Sequence, residues 1–159
     1  MNIQYTPIQV PTDLDFLRKL YISTRWEEVA VLIDWTEEQK LGFLSEQFRL
    51  QHAHYMATYQ QADFLLIKQG KQRIGRLYKD YRPDEIRVID IALLPEYRGR
   101  GIGGRIMEAI LAEAQNTEKA VRIHVEHNNP AMRLYRRLGF TKIGDTGVYF
   151  FMEWQAQNE

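Results

Sequence analysis

The chain has 159 residues, and its 21 basic side chains are matched by 21 acidic ones, so the formal net charge at pH 7 is zero. This length fits one domain over residues 1–159, and the balanced charge gives no electrostatic reason to expect a nucleic-acid partner. Cysteine is absent, which excludes disulfides, thiolate metal sites and a cysteine nucleophile.

The N-terminus carries no signal-peptide pattern, and no apolar run approaches the length that spans a membrane. We therefore expect a cytoplasmic protein that does not bind membranes.

The first third of the chain indicates one strand and two helices. Residues 2–10 alternate between polar and apolar and predict a strand, which Pro7 makes an edge strand or a bulged one. Apolar side chains then recur at helical spacing, with Thr12 or Asp13 as the N-cap. The helical pattern breaks before Thr36, whose three following polar residues favour the start of a second helix that runs to about Tyr59.

The remainder of the chain indicates a meander followed by alternating helices and strands. Short turns separate three predicted strands, Asp63–Lys68, Arg73–Tyr81 and Glu85–Leu94. The next elements, in order, are a helix from Ile102 to about Asn116, a strand over Val121–Glu126, a helix over Pro130–Leu138 ended by Gly139, and two strands, Thr141–Ile143 and Val148–Trp154. This order predicts an α/β fold with a mixed central sheet of six to seven strands and flanking helices.

One glycine-rich segment, Pro95–Gly104, reads PEYRGRGIGG and leads into a predicted helix. Its glycines leave backbone amides pointing outward at the positive end of that helix, which is typical of an anion site. Gly99, Gly101 and Gly104 satisfy the dinucleotide pattern G-x-G-x-x-G, but only 55 residues follow Gly104, too few for the strand–helix units of a dinucleotide fold. A Walker phosphate loop is excluded because no Gly-Lys-Ser/Thr ends the segment. The alternative to an anion site is a glycine-rich helix start that binds no ligand.

The residues Arg98-Gly99-Arg100-Gly101-Ile102-Gly103 resemble the signature Gln/Arg-x-x-Gly-x-Gly/Ala of the GNAT superfamily of acetyl-CoA-dependent N-acetyltransferases. A second block, Asn128–Phe140, resembles the family pattern N-x-x-A-x-x-L-Y-x-x-x-G-F. The resemblance covers about Asp63–Trp154 and implies a single GNAT-like domain.

The resemblance also implies the reaction, namely direct transfer of an acetyl group from acetyl-CoA to a primary amine of a small molecule or protein in a ternary complex. A non-catalytic acyl-CoA sensor is the alternative, because both motifs would persist in it. The pyrophosphate would lie on the glycine-rich amides and the pantetheine arm beside the preceding strand. The implied cofactor-binding residues are Ile91, Ala92, Leu93, Arg98, Gly99, Arg100, Gly101, Ile102, Gly103, Gly104 and Asn128.

Three side chains are candidates for catalysis. The resemblance implies that Tyr135 lies near the thioester sulfur and gives the leaving thiolate a proton, although its spacing also fits a core aromatic. Asp90 interrupts an apolar strand, and His124 has a suitable pKa, so either can take the proton of the amine. Alternatively, Asp90 has a structural role as the ion-pair partner of Arg87 or Arg122, and His124 is an ordinary strand histidine. Glu126 is a weaker candidate for the base. No metal is required.

The acceptor pocket is expected from the helices of residues 13–59 and the terminal strands. The identity of the acceptor stays open, and the aromatic last strand fits both core packing and a homodimer.

Overall fold

The computed structural model describes residues 2–157. In this part of the chain there are seven strands and four α-helices, with a short 3-10 turn at Pro95–Tyr97. The strands are β1 (Ile3–Pro7), β2 (Asp63–Gln69), β3 (Gln72–Tyr81), β4 (Glu85–Leu93), β5 (Ala120–Glu126), β6 (Thr141–Asp145) and β7 (Tyr149–Trp154). The helices are α1 (Leu14–Ala30), α2 (Glu37–Thr58), α3 (Ile102–Thr117) and α4 (Met132–Arg137).

The seven strands form one sheet in the order β1-β2-β3-β4-β5-β7-β6. The sheet is mixed, because β4 and β5 are parallel while β1–β2, β5–β7 and β6–β7 are antiparallel. Pro7 lies in β1, which is an edge strand and therefore tolerates a residue without an amide proton. The predicted α/β fold with a mixed sheet of six to seven strands is confirmed.

The chain forms two compact units, and the first comprises the residues up to Leu77 together with Ala92–Tyr97. In this unit α1 presents Leu17 and Tyr21 at a spacing of four residues, and α2 presents Leu44 and Phe48 at the same spacing. Leu17, Tyr21 and Phe48 cluster with Leu66 of β2. The two helical stripes thus bury each other and one face of the N-terminal strands.

The second unit comprises Tyr78–Ile91 and the chain from Arg98 onward. Val121, Ile123 and Val125 of β5 are buried and alternate with less buried neighbours, as expected for a strand covered on one face. Trp154 pairs with Val121 and so shares this covered face. A Cβ on Gly139 would meet Trp154 Cδ1 at 3.3 Å, which places the end of α4 on the same face.

The opening strand ends at Pro7 and not at residue 10 as predicted. The other predicted boundaries agree with the structure to within about two residues, and two further local predictions are wrong. Asp13 is the N-cap residue of α1, but its carboxylate does not cap the helix; it accepts a hydrogen bond from the Gln9 amide and pairs with Arg73. Helix α4 begins at Met132, not at Pro130, because the Asn129 side chain takes the Ala131 amide into a turn. Within residues 2–157, no helix has the length and apolar character needed to cross a bilayer.

Candidate active site

The glycine-rich segment forms an exposed loop that ends at the first turn of α3. Gly99 and Gly101 have φ values of +72° and +79°, a conformation that favours glycine, and Gly101 is the N-cap of the helix. No side chain in the described part of the chain caps α3, and its first turn contains no acidic residue. The first intrahelical bond runs from the Arg105 amide to the Gly101 carbonyl, so the preceding amides are directed outward.

Helix α2 begins in the opposite way. The Thr36 hydroxyl accepts from the Gln39 amide, the Gln39 side chain accepts from the Thr36 amide, and Glu37 and Glu38 occupy the first turn. The chain therefore satisfies the positive end of α2 with its own side chains and leaves that of α3 open to an anion.

Gly103 leaves open space beside the first turn of α3. It is a helical residue with no positive φ, and a Cβ placed on it would meet no atom within 4 Å. Nothing in the described chain therefore requires glycine at this position, although glycine inside a helix costs about 1 kcal/mol relative to alanine. Gly104 differs, because a Cβ there would lie in ordinary van der Waals contact with the Leu134 side chain of α4 at 3.5 Å.

Strands β4 and β5 are paired over only part of their length. Parallel pairing covers Glu85–Val88 with Ala120–Ile123, whereas β4 continues to Leu93 and β5 to Glu126. The candidate residues Asp90, Ile91 and His124 all lie beyond the last pair. An extended amide-bearing ligand can add here as a strand.

Tyr135 lies on α4 and is buried, with its ring in edge contact with Phe140 at 5.6 Å. Burial raises the pKa of Tyr135 to about 12, and the Asp90 carboxylate adds to this shift. The phenol is therefore fully protonated near neutral pH. The structure brings Tyr135 and Asp90 of the predicted catalytic set into electrostatic contact.

His124 lies on the other face of β5. It pairs with Phe151 in the register that pairs Val121 with Trp154, so its ring lies opposite the face covered by α4. The ring stacks on Phe151 at 4.4 Å between centroids and is exposed. Partial desolvation of the ring by its neighbours and then the charge of Arg87 lower the pKa of His124, so the imidazole is mostly neutral at pH 7.

Arg87 and Arg122, the two arginines suggested as partners of Asp90, both bind Glu85 in one cluster. This buried carboxylate accepts hydrogen bonds from Arg82, Arg87 and Arg122, and Arg122 also donates to Glu153. Burial raises the pKa of Glu85, and the three arginines outweigh burial, so the net shift is downward. Sequence reasoning missed this cluster, since Glu85 and Arg122 are 37 residues apart.

The remaining predicted binding residues are arranged as follows. Asn128 is exposed in the turn after β5, and its side chain makes no hydrogen bond with residues 2–157, whereas Asn129 supplies the local turn bond. Ala92 and Leu93 end β4 beside Gly75, a residue that sequence reasoning also missed. A Cβ on Gly75 would overlap the Ala92 carbonyl oxygen, so glycine there permits the path of β4.

Comparisons with known proteins give a consistent result. A family model described as an acetyltransferase (GNAT) domain matches residues 60–142. The N-alpha-acetyltransferase RimI of Mycobacterium tuberculosis is 32% identical over 99 residues, which cover 62% of this chain and 59% of the relative. Mycothiol acetyltransferase of Corynebacterium glutamicum is 29% identical over 119 residues, 73% of this chain and 40% of the relative. The chain thus spans less than two thirds of either relative.

Among solved structures, the PaiA N-acetyltransferase from Thermoplasma acidophilum, in complex with coenzyme A, superposes with a TM-score of 0.69. The match covers 98% of this chain and 99% of that one at 20% sequence identity. The shared architecture accounts for the element order and the mixed sheet described above.

Proposed function

This chain belongs to the GNAT acetyltransferase family, and from that premise we propose that it moves an acetyl group from acetyl-CoA to a primary amine by direct attack in a ternary complex. The observation that carries this proposal is the open start of α3, where the outward amides of residues 102–104 have no side-chain cap. A pyrophosphate is an anion that suits such a helix end. The similar structure with bound coenzyme A supports this ligand for the same fold.

The donor would be held by the predicted binding residues. The loop amides and the charges of Arg98 and Arg100 suit the pyrophosphate. The length of β4 after Val88, which is not paired with β5, suits the amides of the pantetheine arm. Exposed Asn128 is available from the turn after β5. The absence of a Cβ at Gly103 leaves room for the ligand.

The acceptor amine must lose a proton, and we assign this step to His124. At pH 7 only about one alkylamine in a few thousand is neutral, so the enzyme selects that form or removes a proton as the new bond forms. The lowered pKa of His124 keeps its imidazole neutral and able to accept this proton. The stacked Phe151 ring fixes the plane of the imidazole.

Tyr135 would stabilise the departing thiolate from the opposite face of β5. A phenol with a pKa of about 12 remains protonated, and its O–H can donate a hydrogen bond as negative charge develops on sulfur. Complete proton transfer from this phenol to a thiolate, whose thiol form has a pKa of about 8.5, would be unfavourable by roughly 5 kcal/mol. We therefore assign Tyr135 the role of hydrogen-bond donor and Asp90 that of the group that helps to keep it protonated.

The test combines calorimetry with a thiol-release assay. Acetyl-CoA should bind and NAD(H) should not, and free thiol should appear only when a reactive amine is added. Binding of acetyl-CoA without thiol release across a broad amine panel would instead support the sensor alternative. Preferential binding of NAD(H) would overturn both.

A further inference from the structure

The connection between α1 and α2 exposes an aromatic corner. Trp35 and Phe43 are 38% and 43% exposed, and their rings meet edge to face with centroids 5.5 Å apart and planes at 81°. They line an open cleft of about 560 Å³ together with Asp34 and Gln39. We call these four residues the Trp35–Phe43 corner. It belongs to the first unit, and none of the predicted catalytic or cofactor-binding residues is part of it.

Local hydrogen bonds fix the walls of the corner. The Trp35 amide donates to the Leu32 carbonyl at 3.1 Å, and the Thr36 capping box holds Gln39 through bonds of 2.8 and 3.0 Å. Phe43 follows Gln39 by four residues on α2 and so lies on the same face of the helix. The corner is therefore formed before any ligand binds, which lowers the entropic cost of binding.

The charge around the corner is negative, although the whole chain is neutral. Residues 27–40 contain five acidic side chains and one basic one, Lys40, whose Nζ donates to the Ala30 carbonyl. Within residues 2–157, Asp34, Glu37 and Glu38 form no ion pair. Glu37 and Glu38 offset the positive end of α2, whereas Asp34 precedes the helix and lines the cleft with Trp35.

Other aromatic rings of the chain already have a cation beside them. Lys79 and Lys119 lie over Tyr81, Lys142 lies over Phe150, and Arg87 lies over Phe151. No cation from residues 2–157 lies over Trp35 or Phe43. The corner thus combines two ring walls and an adjacent carboxylate without an internal cation.

We propose that the Trp35–Phe43 corner binds an organic ammonium group. The two perpendicular rings contact its alkyl surface and positive charge, and Asp34 supplies the opposite charge. Two sources share this chemistry, namely a second cationic group on the acceptor amine and a separate cationic molecule. The proposal does not depend on acetyl transfer.

Binding is tested by nuclear magnetic resonance with two probes of the same shape, choline and its uncharged analogue 3,3-dimethylbutan-1-ol. The indole N–H signal of Trp35, assigned with Trp35→Phe, should shift saturably with choline, while those of Trp26 and Trp154 stay in place. Choline should bind on the order of three-fold or more tightly than the alcohol at low salt. Asp34→Asn should reduce this preference, because only the attraction of the two rings for the charge remains.

Glu46→Gln is the matched control, because it removes one charge about 10 Å further along α2 than Gln39 and outside the corner. It should leave the preference for choline intact. Equal binding of the alcohol, or an undiminished preference for choline in Asp34→Asn, would overturn the proposal.

The two sources are separated with an alkyl diamine and a monoamine of the same chain length. If the acceptor supplies the cation, the KM of the diamine relative to the monoamine should rise in Asp34→Asn and not in Glu46→Gln. An unchanged ratio together with selective choline binding assigns the corner to a separate cation. Loss of turnover with every amine would contradict only the proposed acetyl transfer, since the choline titration does not require it.

Discussion

Asp90 and Tyr135 are electrostatically coupled, because the Asp90 carboxylate adds to burial in raising the pKa of the Tyr135 hydroxyl to about 12. These two residues come from different elements, β4 and α4, and lie 45 positions apart in the sequence. The coupling favours the protonated phenol, and this is the form that can donate a hydrogen bond.

Replacement of Tyr135 by phenylalanine should lower kcat by about 100-fold, because it removes the donor to the thiolate and keeps the ring. The wild-type protein should also lose stability between pH 10 and about 12. The pKa of Tyr135 is about 12 in the folded protein and 10.0 in the unfolded chain, so the protonated phenol favours the folded state. This contribution of roughly 2–3 kcal/mol is fully present below pH 10 and disappears as the pH rises to about 12. Denaturant unfolding across this pH range should show the loss in wild type and not in Tyr135→Phe. Normal turnover by a well-folded Tyr135→Phe would contradict its catalytic role.

The acidic limb of kcat/KM should fall below pH 6.5, because burial and Arg87 lower the pKa of His124. Arg87→Gln should move this limb toward higher pH by removing the repelling charge, provided that its melting temperature confirms folding. His124→Gln should reduce kcat/KM by about 100-fold or more and remove the limb. If instead Asp90→Asn alone removed it, the assignment of the base would pass to Asp90.

Gly103→Ala should stabilise the free protein and weaken the binding of acetyl-CoA. Alanine is favoured over glycine in a helix by about 0.5–1 kcal/mol, and the new methyl group meets no atom of the chain. We expect about a ten-fold increase in Kd, equivalent to about 1.4 kcal/mol.

Gly42→Ala in α2 is the matched control, because Gly42 is also helical and has no atom near its Cβ position. It should give the same gain in stability with no change in Kd. Thermal melts and calorimetry on both variants measure the two effects, and unchanged affinity in Gly103→Ala would argue against a ligand at this turn.

Glu85→Gln should destabilise the protein by about 3 kcal/mol, since it leaves three arginines facing a neutral buried side chain. Because the folded pKa of Glu85 is lowered, its contribution is full above about pH 4.5 and lost as pH falls further. Glu28→Gln, which breaks an exposed pair with Arg25, should cost less than about 0.5 kcal/mol. Urea unfolding of the three proteins tests this contrast.

The parts of the structure that the sequence predicted correctly rest on local chemistry. The start of α2 at Thr36 follows from residues only three positions apart, and the strand ends follow from glycine- and proline-containing turns. The open loop before α3 could be predicted for the same reason, because its glycines and the uncapped helix start are adjacent in the chain.

The features that escaped prediction depend on partners that folding brings together. The role of Gly75 depends on the Ala92 carbonyl of another strand, and that of Glu85 on an arginine 37 residues away. The Asp13 carboxylate was a reasonable cap, but the Gln9 amide and Arg73 compete for the same oxygens. The placement of His124 and Tyr135 on opposite faces of β5 required the β5–β7 register.

The open start of α3 also has a consequence for backbone exchange. Amides that donate no hydrogen bond to a carbonyl or side chain exchange rapidly with solvent. In D2O, the amides of residues 102–104 should therefore take up deuterium early in the free protein. A bound pyrophosphate would act as the missing cap and slow exchange at these three positions, while the capped first turn of α2 would keep its rate. The ligand would thus complete a helix that the polypeptide leaves unfinished.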